Sequence, residues 1–371
     1  MFMNISNIMY ESTQEDIISL VSSYFPYSSL VSSLTTLQFE LGDYEFKSKF
    51  VELCQKLEDR NLIGRIEKRS EKILLIVSKY PARKQRKWIS KSWTPRLLFG
   101  ITVIFVLIDG YYRTLGVNSL TIIGDPIGVA VLYAWALIGI LGVHEAGHLF
   151  AARMHKIKTT WPYFIPGIPV FGIPTFGALI QSRSLTINKD ILFDIAVAGP
   201  IAGLVIAVIV SLFGAYTSPV IDNLTAESLS QSSQIMDIND NLIMLATLEL
   251  FGKNGDDVVV IMSPIMFAAW IGFLITFLNL LPAWQLDGGH MSRVILGQKW
   301  HKIATYGSMV VLVLLGYWMM AMLILVMSSR APDAKPLDDV SPLSNNRKIL
   351  YIAVIVLAIL CAPIPSSIIP F

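Results

Sequence analysis

The sequence predicts an all-α polytopic membrane bundle of about six transmembrane helices. It also predicts a re-entrant strand or loop segment within the bundle and a small cytoplasmic α+β domain at its N-terminal side. Three observations carry this expectation. Apolar residues make up 54% of the 371-residue chain and charged residues only 15%, against about 25% charged in soluble domains. Apolar runs approaching the length of about 20 residues needed to cross a bilayer recur after residue 93. The only long polar stretch lies before them, in residues 1–92.

The N-terminal stretch comes first. Its opening residues lack the charged-then-apolar layout of a signal peptide and are too acidic for a transit peptide, so no cleaved targeting segment is expected. Phe50, Leu53, Leu57 and Leu62 fall at roughly helical spacing within 46–62, and the run from Arg65 to Tyr80 reads as a strand pair with Ile73–Val77 buried. Residues 1–92 are therefore expected to form a small α+β domain, and 93–371 the membrane domain. Two cysteines, Cys54 and Cys361, exclude a disulfide scaffold and a cysteine-ligated zinc finger.

Spans are expected near 97–112, 128–153, 190–215, 260–282, 302–327 and 348–366. Lys79, Arg83, Lys84, Arg86, Lys87, Lys91 and Arg96 precede the first with no acid among them, which puts that side in the cytoplasm. The 216–259 loop carries Asp222, Glu227, Asp237, Asp240, Glu249, Asp256 and Asp257 against Lys253 alone, and suits the opposite side. Residues 161–178 are apolar, yet they hold Pro162, Pro166, Pro169 and Pro174 with Gly167, Gly172 and Gly177. So many helix breakers rule out a continuous helix. Non-helical backbone at membrane depth must be satisfied by protein or by a polar cavity, hence the re-entrant loop or edge strand.

The chemistry concentrates at His144-Glu145-Ala146-Gly147-His148. Residues i and i+4 share a helix face, so both imidazoles reach one metal ion, and Glu145 is placed to move a water proton. Ionisable residues inside an apolar span are expensive and functional by default. With the helix leaving the membrane near Met154, His148 and His144 lie roughly 9 and 15 Å from that end. A catalytic zinc takes three protein ligands and keeps one open position. Asp109, Asp194, Asp287 and His290 compete for the third place. Asp109 is at the wrong depth, Asp194 suits an interfacial or capping role, and His290 lies further past a chain break. Asp287 follows the helix breaker Pro282 and precedes Gly288-Gly289, at the cytoplasmic end of the fourth span, and is the expected third ligand.

His144-Glu145-Ala-Gly-His148 followed by Asn279, Pro282 and Leu286-Asp287-Gly288-Gly289 resembles the site-2 protease family of intramembrane zinc metalloproteases. Ala198-Gly199-Pro200 is similar to that family's helix-breaking motif, and Pro162–Pro166 with Phe176-Gly177-Ala178 to its re-entrant segment. Pro336–Leu343 resembles the archaeal and plastid-type branch. The resemblance covers about residues 95–365. It implies one Zn2+ per chain on His144, His148 and Asp287, with Glu145 as general base. Asn279 would then polarise the scissile carbonyl or hold the oxyanion, an interhelical hydrogen bond being its other reading. The implied activity is regulated intramembrane proteolysis, with single-span transmembrane proteins as substrates.

Two other classes compete. A divalent-cation transporter would carry ligands across several spans near the midplane, whereas here Glu145 occupies the water-activating position near one side. A proteolytically inactive scaffold would most simply have lost Glu145. The remaining expectations are a multi-pass protein of the cell (plasma) membrane, in contact with the bilayer, with its N-terminus and active-site motifs toward the cytoplasm. No nucleic-acid motif appears, and nothing in the sequence sets an oligomeric state.

Overall fold

The computed structural model describes residues 5–33, 35–42, 46–80, 93–168, 173–179, 186–223, 225–226, 240–255, 258–330 and 335–364. Most of the basic run before the first span, and Glu227, Asp237, Asp256 and Asp257 of the acidic loop, lie outside the described residues. The chain divides into two compact units. One takes in Met1–Gln85, Leu185–Leu192 and Lys335–Ser344; the other takes in Arg86–Ser184, Phe193–Ala334 and Asn345–Phe371.

The first unit contains α1 (Ile5–Ser22), β1 (Tyr27–Ser32), β2 (Thr36–Leu41), α2 (Lys47–Asp59), β3 (Leu62–Arg69) and β4 (Lys72–Lys79). Among the described residues its strands form one antiparallel sheet in the order β1-β2-β4-β3. The apolar stripe of α2 buries Phe50, Leu53, Cys54 and Leu57, as helical spacing demands. Leu62, expected on that helix, instead opens β3, because Asn61 turns the chain into the left-handed region at φ 59°. The hairpin between β3 and β4 turns through Ser70 and Glu71, both at positive φ, the conformation whose twist matches paired strands. Strands β1 and β2 were not among the sequence expectations, although Leu37, Phe39 and Leu41 alternate inward along β2. The outer edge of β3 is covered: Ile66 N–H donates to the Leu337 carbonyl at 2.8 Å, and Leu337 N–H to the Thr186 carbonyl at 2.9 Å. An open sheet edge is thereby removed.

The second unit is mostly helical. It holds α3 (Thr94–Asn118), α4 (Pro126–Met154), a hairpin of β5 (Tyr163–Ile168) and β6 (Ile173–Leu179), and α5 (Lys189–Thr217), whose first residues belong to the first unit. There follow β7 (Val220–Asp222), α6 (Leu242–Glu249), β8 (Val258–Val260), α7 (Pro264–Leu280), α8 (Asp287–Leu314), α9 (Trp318–Arg330) and α10 (Asn345–Leu360). Among the described residues, α3, α4 and α5 are long and apolar enough to cross a membrane.

The proline- and glycine-rich segment is an antiparallel hairpin, irregular between Phe164 and Pro166; residues 169–172 lie outside the described residues. Phe164 anchors it on α3, its ring edge-on to Phe99 at 5.1 Å. Two expectations need correction. Pro200 does not break its helix, since α5 runs through it; in an apolar medium, two new helix ends would expose more unsatisfied backbone than the single donor proline removes. The expected span over 302–327 is two helices, because Gly316 at φ 87° ends α8 and α9 starts at Trp318. Gly297, at φ 77°, also bends α8.

Apolar burial ties the long helices together. Tyr133, Leu137 and Leu141 of α4 pack with Phe267, Ala268 and Ile271 of α7 and with Phe164. Ile140, Ala207, Phe273, Phe277 and Leu312 join a second cluster across α4, α5, α7 and α8. Ile108, Trp135, Ile209, Phe213, Leu314 and Ile359 remain exposed, an apolar surface of the sort that faces lipid.

Candidate metal centre

Two helices and one helix start supply the site. In α4, His144 and His148 stand one turn apart, their ring centroids 4.9 Å apart and their planes at 72°. The third contributor depends on how the chain leaves α7. Pro282 keeps Leu281 out of the helical region, at ψ 137°, and the chain returns through Trp284 at φ 44° to begin α8 at Asp287. Gly288 and Gly289 make so tight a return feasible, because a Cβ on either would overlap the carbonyl of Leu280 or Trp284.

This return places Asp287 Oδ2 at 3.3 Å from His148 Nε2 and 3.5 Å from His144 Nε2. The two Nε2 atoms are themselves 3.2 Å apart. One donor atom from each of the three residues lies within 4.8 Å of the others, a grouping that could hold a metal ion.

The tautomer also fits a ligand. His148 Nδ1 lies 2.7 Å from the Ile195 carbonyl oxygen of α5. With Nδ1–H donating there, the lone pair of Nε2 faces Asp287 and His144, as a metal-binding imidazole requires. Helix α5 comes this close because it offers no side chain at the contact. A Cβ at Gly199 would overlap the His148 ring, and one at Gly203 would lie 2.9 Å from His144 Cβ. Gly147 completes the approach from the α4 side, where a Cβ would lie 2.5 Å from the Ala198 carbonyl oxygen.

Glu145, beside His144, is buried at 7% exposure. Asn279, in the last turn of α7, brings Nδ2 to 3.3 Å from His144 Nε2. All five residues singled out in the sequence thus meet at one place or flank it. The competing aspartates do not join them. Asp109 Oδ2 accepts from Arg113 Nε and from the Tyr133 hydroxyl, each at 2.7 Å. Asp194 accepts from Arg347 and pairs with His155. The Ile195 carbonyl and the Gly199 contact escaped sequence reasoning. The small residues of Gly199–Gly203 suggest close packing beside the metal site, and the structure adds which histidines they meet.

A family model for peptidase family M50 matches residues 132–322. Among curated proteins, one from Oryza sativa subsp. indica named "Probable zinc metalloprotease EGY2, chloroplastic" is 27% identical, over 74% of this chain and 50% of its own length. An Arabidopsis thaliana protein named "Probable zinc metalloprotease EGY1, chloroplastic" is 30% identical, over 63% of this chain and 43% of its own. The chain thus spans about half the length of these curated relatives. No solved structure matches it.

Proposed function

Because this chain belongs to peptidase family M50, we propose that it is an intramembrane zinc metalloprotease, hydrolysing peptide bonds in or beside the transmembrane segments of other membrane proteins. The observation that carries this reading is the convergence of His144, His148 and Asp287 donors beside the buried Glu145. Relatives named zinc metalloproteases support zinc as the metal. In this reading His144, His148 and Asp287 hold one Zn2+ per chain and leave a position open. Bound there, zinc supplies Lewis acidity that makes water a nucleophile source at neutral pH.

The chain's own residues do the rest. Glu145 takes the proton of the attacking water and returns it to the leaving nitrogen. Asn279, with Nδ2 beside His144, donates to the oxygen on which charge develops. The Ile195 carbonyl holds the His148 imidazole in orientation. Packed apolar side chains on α4, α7 and α8 restrict water to the site. The β5–β6 hairpin offers backbone on which an unwound substrate adds as a strand.

The proposed topology has six spans: α3, α4 and α5, then α7, the α8–α9 pair and α10. Residues 93–371 form the proposed protease domain, with Leu185–Leu192 and Lys335–Ser344 lent to the compact unit of the N-terminal residues, and 1–92 form a small domain outside the bilayer, on the side of the basic run before α3. The relatives are chloroplastic by name, so we propose a multi-pass membrane location and leave aside the expected plasma membrane. Single-span membrane proteins are the proposed substrates.

The test pairs zinc stoichiometry with cleavage of a single-span model substrate in detergent. Glu145→Gln is expected to retain zinc and lose cleavage, and Asp287→Asn to lose zinc. Purified wild-type protein with no bound zinc would overturn the reading.

A further inference from the structure

Asp194 competes in the sequence for the third ligand place, and the structure gives it other partners. It lies inside α5, past its first turn, one residue before the Ile195 carbonyl that meets His148. Its carboxylate is held from two sides. Arg347, in the first turn of α10, donates Nε to Oδ1 at 2.7 Å and Nη2 to Oδ2 at 2.6 Å, a two-pronged guanidinium–carboxylate pair. His155, which caps the end of α4, brings Nε2 to 3.0 Å from Oδ2. All three side chains are partly shielded, at 26–29% exposure.

These contacts bear on register. Consecutive residues of α5, Asp194 and Ile195, meet two histidines of α4, His155 and His148. One turn further along, Gly199 lies under the His148 ring. A slide of α5 by one residue, about 1.5 Å, would remove the Ile195 carbonyl from Nδ1. The glycine contacts limit such a slide locally, because a Cβ carried into the place of Gly199 would overlap the His148 ring. The charged pair at Asp194 adds a directional restraint at the end of α4.

We propose that Asp194 is a positioning residue for the metal centre. Clamped by Arg347 and His155, it locks α5 against α4 so that the Ile195 carbonyl keeps the His148 imidazole turned with Nε2 toward Asp287. This rests on the metal-centre reading above, and it adds α10 to the elements that hold the ligands in place.

The test uses cobalt(II) as the probe, because its visible absorption reports coordination geometry independently of catalysis. Wild type, Asp194→Asn and Asp194→Glu are titrated in detergent against a chelator, with thermal unfolding measured in parallel. The expected result is a loss of affinity of about tenfold in Asp194→Asn, with an altered spectrum. Asp194→Glu, which keeps the charge for Arg347, should recover most of the affinity. Wild-type affinity and spectrum in Asp194→Asn, even with a lowered melting temperature, would make the clamp merely structural and overturn the proposal. If Asp194→Asn does not fold, Arg347→Gln and His155→Gln are read by the same two criteria. Wild type that binds no cobalt would overturn the metal-centre reading itself, and the proposal with it.

Discussion

Replacing Gly199 with alanine isolates the contact on which the His148 position depends. Alanine favours a helix interior over glycine by about 0.8–1 kcal/mol, so α5 itself should not weaken. The added Cβ, however, would fall on Nε2, Cε1 and Cδ2 of the His148 ring. The nearest ring atom would lie 2.1 Å away, so restoring ordinary contact of about 3.5–4 Å requires the ring or the helix to retreat by about 1.4–1.9 Å. A metal site tolerates shifts of only about 0.2 Å in its ligand distances. The expected loss is about 10–100-fold in zinc affinity, equivalent to about 1.4–2.7 kcal/mol. Chelator competition on purified protein in detergent measures it directly. Gly142→Ala is the control: it lies in the same helix as His148, and a Cβ there meets nothing within 4 Å. Zinc affinity in Gly199→Ala within about threefold of wild type would refute the reasoning, because His148 would then not be a ligand or α5 would not lie against it.

Two further outcomes separate scaffold from chemistry. Asp109→Asn removes the charge that pairs with Arg113 and accepts from Tyr133; it should destabilise the α3–α4 packing by about 3 kcal/mol, visible as a lower melting temperature in detergent with zinc stoichiometry unchanged. Gly177→Ala acts on the hairpin: at φ 88° with open space around it, the cost is backbone strain of about 1–2 kcal/mol, so cleavage of the model substrate should fall while zinc content holds.

Local periodicity was the part of this protein written openly in its sequence. His144 and His148 share a face because a helix repeats every 3.6 residues, and that follows from spacing alone once the surrounding run is long and apolar. The amphipathic stripe of α2 and the strand pair expected over 65–80 were legible for the same reason, although β3 starts earlier, at Leu62. The chain break before Asp287 was visible in Pro282 and the following glycine pair, because proline and glycine act on their immediate neighbours. Strand β2 was legible in principle, through the alternation of Leu37, Phe39 and Leu41, but its partner β1 exposes most of its side chains and leaves no such mark.

Tertiary structure decided whatever depended on how separate helices cross. Asp109, Asp194 and Asp287 are the same residue type near the ends of apolar runs, and composition does not tell a donor that turns inward from one claimed by an arginine. Only the packing of α5 on α4, through Gly147, Gly199 and Gly203, carries the Ile195 carbonyl to His148 and Asp194 to His155. Pro200 shows the same division: its local chemistry argues for a break, yet α5 continues, because an apolar surround penalises exposed helix ends more than one missing hydrogen bond. The sequence by itself determined that His144, Glu145 and His148 stand in a metal-ligand pattern, since that needs only neighbours along one helix. The structure determined which distant groups complete and orient the site, since that is set by contacts between chain segments with no fixed spacing between them.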